Sequence, residues 1–248
     1  MRIAVISDIH GNLLALEAVL EDLKAQAPDV IVNLGDCVSG ALWPEETAQL
    51  LIDKNWLTIR GNHDRQLFDR PLEKMGASDA FTLPLLSETS REWLQTLPAT
   101  ERLCEEIFLC HGTPTRDNVY LTEKVVGPKG HMASEAETRE KLEGESASLI
   151  FCGHTHIPRL IRVSTGQTIL NAGSVGLPSY DDDHPNHHVM ESGSPHARYA
   201  IATKTGGRWD FTERMIEYDW DRAAMQASEN GRDDWAASLK NGFFGPLS

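Results

Sequence analysis

No stretch of this 248-residue chain approaches the roughly 20 consecutive apolar residues that cross a bilayer, so no membrane partner is expected. The opening Met-Arg-Ile-Ala-Val-Ile-Ser-Asp lacks the longer apolar core and small-residue cleavage site of a secretory signal, and the expected location is cytoplasmic. Cysteine is scarce, with four residues and no Cys-x-x-Cys pairing. Cys110 and Cys152 sit in apolar strand-like runs and Cys104 lies just before one, which suits buried reduced thiols. Cys37 follows an acidic residue, and a thiolate ligand there stands as an alternative. Basic charge is in deficit: 23 Lys and Arg against 37 Asp and Glu give a net charge of −14. Such a surface repels phosphate backbones, which argues against nucleic acid and anionic membrane as partners. A phosphate ester would need a local positive charge, and bound divalent metals would supply one.

What is present is an ordinary globular composition, 40% apolar, in a length that allows one to two domains. Arg2–Ser7 reads as a buried strand ending at Asp8-Ile9-His10-Gly11-Asn12. Leu13–Gln26 carries apolar residues at helical spacing, with Asn12 as its N-cap. Val30–Leu34 is a second buried strand, ending at Gly35-Asp36. Pro44–Lys54 is a helix with Pro44 in its first turn. Leu57–Arg60 is a third strand, ending at Gly61-Asn62-His63-Asp64. Ser90–Leu97 reads as helix, and Ile107–Cys110 as a strand ending at His111-Gly112. Thr113 to Glu145 is polar and mixed, with one helix near Ser134–Leu142. Leu149–Cys152 is an apolar run that stops at Gly153, which lets the chain turn before His154 and His156. Leu160–Val163 and Thr168–Leu170 flank Thr165-Gly166 as a hairpin. Pro178 to Pro195 reads as a long polar loop. Arg198–Thr203 and Trp209–Tyr218 are antiparallel strands around Gly206-Gly207, and 219–240 is helical with Gly231 as a break.

Strand–helix alternation in the first half implies a partly parallel sheet whose carboxyl ends share one edge. The hairpin-connected second half adds strands. Two mixed β-sheets packed face to face with helices outside, a four-layer αββα sandwich of the α/β or α+β class, would bury both halves. Five strand ends carry ligand-type residues: Asp8 with His10, Asp36, Asn62, His111, and His154 with His156. Carboxylate, amide and imidazole together suit Mn, Fe, Zn or Co. The donors are too many for one tetrahedral centre and suffice for two metals if a carboxylate bridges. Two metals about 3.5–4 Å apart can clamp a phosphoryl group and activate water.

The set Asp8-x-His10, Gly35-Asp36, Gly61-Asn62-His63-Asp64, His111 and Gly153-His154-x-His156 resembles the calcineurin-like metallophosphoesterase superfamily. Ser7–Asn12 and Asn171-x-Gly173-Ser174 are similar to its small bacterial and archaeal phosphodiesterase branch. The resemblance spans Asp8 to Ser174; the last seventy-odd residues carry no diagnostic motif. It implies one metallophosphoesterase domain over residues 1–248, with 219–248 as a helical tail packed on it. It implies that Asp8, His10 and His156 hold one divalent metal, that Asn62, His111 and His154 hold a second, and that Asp36 bridges. Manganese leads, with Fe, Zn, Ni and Co as alternatives. His63 would be the general acid or would stabilise phosphoryl charge. Asp64 would orient His63, cap a helix, or do both. The implied reaction is hydrolysis of a small soluble phosphate ester, mono- or diester, by a metal-bridging hydroxide attacking phosphorus in line, with inversion. A nuclease, or a non-catalytic scaffold that keeps the fold, is the alternative.

Other residues carry weaker signals. Asn12 would cap its helix or face the phosphate, and Arg60 would contact phosphate or form a salt bridge. Asn171 and Ser174 would shape the turn beneath His156. Asp181-Asp-Asp-His-Pro-Asn-His-His188 would be a solvated loop or a rim over the site. The segments 65–103 and 113–148 would set access and specificity, and no motif fixes the oligomeric state.

Overall fold

In chain order the elements run β1 (Arg2–Ile6), α1 (Leu13–Gln26), β2 (Val30–Asn33), α2 (Pro44–Lys54), β3 (Leu57–Thr58), α3 (Asn62–Asp69), α4 (Ala77–Thr82), α5 (Glu88–Thr96), β4 (Thr100–Cys104) and β5 (Ile107–Cys110). They continue as β6 (Glu123–Val126), β7 (Lys129–Met132), α6 (Glu135–Lys141), β8 (Leu149–Cys152), β9 (Arg159–Arg162), β10 (Thr168–Asn171), β11 (Ser179–Asp182), β12 (His188–Glu191), β13 (Ala197–Thr205), β14 (Arg208–Ile216), α7 (Trp220–Glu229) and α8 (Asp233–Asn241). The structure is a computed structural model that describes residues 1–245. Residues 246–248 of the expected C-terminal tail lie outside them.

Two five-stranded mixed sheets form the centre. The first has the order β14-β13-β1-β2-β3 and the second β4-β5-β8-β10-β9. Each is built on three parallel strands, β1-β2-β3 and β5-β8-β10, flanked by antiparallel ones. Side chains alternate across each strand. Ile3 and Val5 of β1 therefore face the second sheet, where they meet Ile107, Leu109, Leu149 and Phe151. Ala4 and Ile6 face the other way, onto Leu16, Val19 and Leu23 of α1. Phe108, Cys110, Ile150 and Cys152 point out of the second sheet to Leu142, just past α6. That is the expected αββα layering.

The helix boundaries follow local chemistry. Asn12 Oδ1 accepts from Ala15 N at 3.2 Å, and α1 ends where Ala27 turns left-handed before Pro28. Ser134 and Glu137 close a capping box on α6. Gly231, at φ 76°, separates α7 from α8, and these two helices pack against Ala41, Leu42 and Leu177. No helix among the described residues is long and apolar enough to cross a membrane.

A third sheet, β11-β12-β7-β6, departs from expectation. It forms from the stretches expected to be polar loop at Thr113–Glu145 and Pro178–Pro195. β4, also unforeseen, edges the second sheet. These strands are short and mostly polar, and their pairing rests on neighbours rather than on a buried face. Cys37, Cys110 and Cys152 are buried, but Cys104, on β4, is exposed.

Phe151 is fully buried between the two large sheets. Phe151→Ala should lower unfolding free energy by about 3–5 kcal/mol, read as a lower denaturation midpoint at unchanged slope.

Candidate metal centre

Five of the six parallel strands carry donors within a few residues of their carboxyl ends. Asp8 and His10 follow β1, Asp36 follows β2, Asn62 and His63 open α3 after β3, His111 follows β5, and His154 and His156 follow β8. Two clusters result. Asp8, His10 and His156 each offer one ligand atom, and these atoms lie within 4.8 Å of one another; Asp36, His111 and His154 do the same, and all six side chains are buried. The clusters adjoin: His10 Nε2 is 3.8 Å from Asp36 Oδ2, and His111 Nε2 is 3.9 Å from Asp8 Oδ1. Asn62 Oδ1 lies 3.1 Å from His111 Nε2 and joins the second cluster.

The backbone is held in a rare conformation to do this. Asp8, His10, Asp36, His154 and His156 all have positive φ, between 52° and 68°. His154 and His156, not Gly153, therefore make the turn expected of the glycine. Gly153 serves close approach instead: a Cβ there would meet Ser7 Oγ at 2.1 Å and Asp8 Oδ2 at 2.8 Å. Gly61 is similar, since a Cβ would lie 2.1 Å from Asp36 Oδ1 and 2.5 Å from Asp36 N.

Hydrogen bonds fix the imidazole tautomers. Nδ1 of His10 donates to the Ser39 carbonyl at 2.7 Å, that of His111 to Leu34 at 2.7 Å, and that of His156 to Leu177 at 2.6 Å. A carbonyl oxygen only accepts, so each neutral ring keeps its proton on Nδ1 and presents a bare Nε2. The bare nitrogens of His10 and His156 face each other at 3.1 Å, and His156 Nε2 lies 3.4 Å from Asp8 Oδ1. Two lone pairs at that range repel unless a proton or a metal cation lies between them.

The electrostatics point the same way. Burial, then His156, pulls His10 down to about 4; burial, then His111, does the same to His154. Both rings are neutral at pH 7. Burial raises Asp8 and Asp36, but the histidines beside them outweigh it and hold both below the usual carboxylate range, Asp36 well below. Burial also opposes charge on His111, yet Asp36, 3.2 Å away, holds it up to about 10. A cation in that gap would take the place of the proton. The donors fit two divalent cations of the Mn, Fe, Zn or Co type.

A profile of the calcineurin-like phosphoesterase family matches residues 1–158. The chain belongs to that family. An uncharacterized protein of Methanocaldococcus jannaschii is 28% identical over 254 residues, 94% of each chain. A metallophosphoesterase of Sphaerobacter thermophilus has a similar structure, with a TM-score of 0.72 and 26% identity over 96% of this chain and 98% of that one.

In this phosphoesterase His63 lines a cavity of about 350 Å³ with His10, Asp36, Asn62, His154 and His156. Its expected partner, Asp64, is engaged elsewhere. Asp64 Oδ2 accepts from Asp36 N at 2.8 Å and Gly61 N at 2.9 Å, and Oδ1 accepts from Cys37 N at 2.9 Å. Asp64 thus caps α3, as one expectation had it, and ties α3 to the turn that carries Asp36. The carboxylate on His63 is Asp79 of α4, with Oδ1 2.7 Å from Nδ1. Asp79 is 1% exposed, whereas the His63 side chain is 32% exposed. Burial pulls His63 down, but Asp36 and Asp79 outweigh it and raise it to about 9.

The weaker candidates are also placed. Asn12 is fully buried and committed to the fold: besides capping α1, its Nδ2 donates to Gly176 O at 2.9 Å and Tyr218 Oη at 3.1 Å. Arg60 makes no salt bridge among the described residues and lines a separate, neighbouring cavity. Ser174 Oγ donates to Asp8 O at 2.7 Å and accepts from Leu177 N at 2.9 Å, so it does shape the turn on which His156 rests. Asp181, Asp182 and His184 sit at the cavity rim, and no third metal-sized cluster forms there among the described residues. Burial and the Asp64 charge raise the Cys37 thiol well above its ordinary value, which opposes a thiolate ligand. Sequence reading missed Asp79 and Tyr180. No motif marks Asp79. Tyr180, whose hydroxyl donates to the His154 carbonyl at 3.0 Å, sits in a stretch read as loop.

Gly61→Ala should displace Asp36 and weaken metal binding by about 10–100-fold. Metal content after equilibration with limiting manganese, measured by elemental analysis, checks this; wild-type metal content would show that the contact relaxes elsewhere.

Proposed function

We propose that the protein is a dinuclear-metal-dependent phosphodiesterase acting on small soluble phosphate esters, with manganese the first metal to test. Asp8, His10 and His156 would hold one cation and Asn62, His111 and His154 the other, with Asp36 beside both groups. The observation that carries this reading is the convergence of buried imidazoles whose Nδ1 protons are tied to backbone carbonyls. It leaves bare nitrogens aimed at one another and at two carboxylates. When bound, the cations supply the Lewis acidity that activates water and draws charge from the phosphoryl oxygens.

The side chains divide the remaining work. Asp79 accepts from His63 Nδ1, so Nε2 is the nitrogen left to the cavity. A protonated His63 gives that proton to the leaving oxygen as the phosphorus–oxygen bond breaks. Asp79 keeps the ring oriented and stabilises its positive form. The rim favours a diester. Asp181, Asp182 and Asp234 outnumber Arg70 and Arg232 among its charged residues. A monoester brings two negative charges to that rim and a diester only one.

After metal stripping and reloading with manganese, kcat/KM on bis(p-nitrophenyl) phosphate should exceed that on p-nitrophenyl phosphate. The reverse order would remove the diester assignment. No turnover of either with Mn, Fe, Zn, Ni or Co would remove the hydrolase assignment. Asp79→Asn should retain two metals and lower kcat by about 10–100-fold, with little change in KM. The loss should grow as the leaving group becomes more basic; an equal loss for all leaving groups would mean that His63 does not protonate the leaving oxygen.

A further inference from the structure

Arg60 lies just past β3, half-buried, in a cavity of about 290 Å³ beside the metal centre. Its Nε is buried and meets no hydrogen-bond partner among the described residues. Among the described residues, each other arginine either is exposed or places its guanidinium on an acceptor. Arg2 and Arg91 share a buried, unpartnered Nε but place Nη2 on an acceptor, so Arg60 stands apart in a chain with 37 acidic and 23 basic residues. Leaving such a group unanswered costs free energy that a bound acceptor would recover.

The walls of the cavity add charge of the same sign. Arg65 and Arg116 line it, and Asp117 is its one acidic lining residue. Asp117 is already engaged by Arg65, through Nε at 2.6 Å and Nη2 at 2.8 Å. Arg116 turns only Nη2 to Glu143, at 2.8 Å, which leaves its other donors free. Thr100 supplies a hydroxyl, whereas that of Thr113 already donates to the Arg116 carbonyl at 3.3 Å. Asn118 lines both this cavity and the one over the metal centre, so the two adjoin.

We propose that this cavity is a binding site for a phosphate-class oxyanion, with Arg60 as its principal ligand. A guanidinium fork matches two oxygens of such an anion. Arg116 and Thr100 offer donors to the others, more than a carboxylate can use. The anion is either free inorganic phosphate or a second phosphate of a bound substrate. His111 of the second cluster also lines the cavity, but Arg60, the principal ligand, belongs to neither metal cluster.

The test is calorimetric titration of inorganic phosphate into manganese-loaded protein. Wild type should take up one more equivalent than Arg60→Met, or bind that equivalent at least about tenfold more tightly. Arg60→Lys, which keeps the charge and fills the space, should retain the site with weaker affinity and guards against loss of the fold. If the metal centre binds no phosphate, each protein loses one equivalent and the difference between them persists. Acetate at equal concentration should not compete. Titrations of wild type and Arg60→Met that superimpose would overturn the proposal. Kinetics separate the two sources. A fall in kcat/KM confined to diadenosine tetraphosphate, with bis(p-nitrophenyl) phosphate unaffected, identifies a substrate phosphate. Unchanged rates on both, with phosphate binding lost, identify free phosphate.

Discussion

Asp8 and Asp36 follow neighbouring parallel strands and are 0% and 1% exposed. Desolvating a carboxylate costs several kcal/mol after relaxation, and here two lie close together. Backbone donors offset part of that cost: His154 N reaches Asp8 Oδ2 at 3.1 Å, and His63 N reaches Asp36 Oδ1 at 2.9 Å. The next layer holds those donors in place. Asp64 binds the backbone on both sides of Asp36, and Ser174 binds the carbonyl of Asp8. Asp64 itself is raised to about 6 by burial and by the Asp36 charge, so the repulsion is shared out rather than removed. Cations held by the two clusters would offset the remaining repulsion.

The same economy governs the backbone. Five non-glycine residues at positive φ cost about 1–2 kcal/mol each in a free chain. They persist because each lies two to four residues past a strand whose register is locked on both sides by parallel neighbours or by β13. A glycine would relieve the strain and would also remove the ligand. Strain and ligation therefore occupy the same positions, and the rigid sheet edge supports both.

This division explains what could be read from sequence. The parallel strands are apolar runs, and α1 and α2 have clean helical spacing with good caps, so their positions and the convergence of Asp8, Asp36, His111 and His156 were legible. The third sheet was not. β7 is Lys-Gly-His-Met and β11 is Ser-Tyr-Asp-Asp, segments whose extended form is imposed by pairing and which carry no buried stripe of their own. Val125-Val126 before Gly127-Pro128 was the one local hint of a hairpin. Asp79 was illegible for a different reason. Asp64 lies one residue from His63 and Asp79 sixteen, and only the packing of α4 beside α3 decides which carboxylate reaches the ring. Adjacency in sequence favoured Asp64, but the first turn of a helix directs a carboxylate to backbone N–H groups, and Asp64 went there.

The family profile ends at residue 158, whereas the wall of the cavity facing the metal clusters is built largely beyond it. Leu177, Tyr180, Asp181, Asp182 and His184 form one side, and Arg232, Asp234, Trp235 and Phe244 another. Trp235 stands edge-on to His10 with ring centres 6.1 Å apart, so the C-terminal helices reach the ligands themselves. Groups that hold the reacting phosphorus set the chemistry, while contacts to the rest of the substrate set which ester is bound well enough to react. Under the proposed reading, the first task would fall to the strand ends within the matched residues, and the second to the rest of the cavity lining, Gln66, Arg70, Ser78 and Asn118 together with residues 177–244. Specificity can then change by substitution in residues 177–244 while the donors, their tautomers and their strained turns stay fixed.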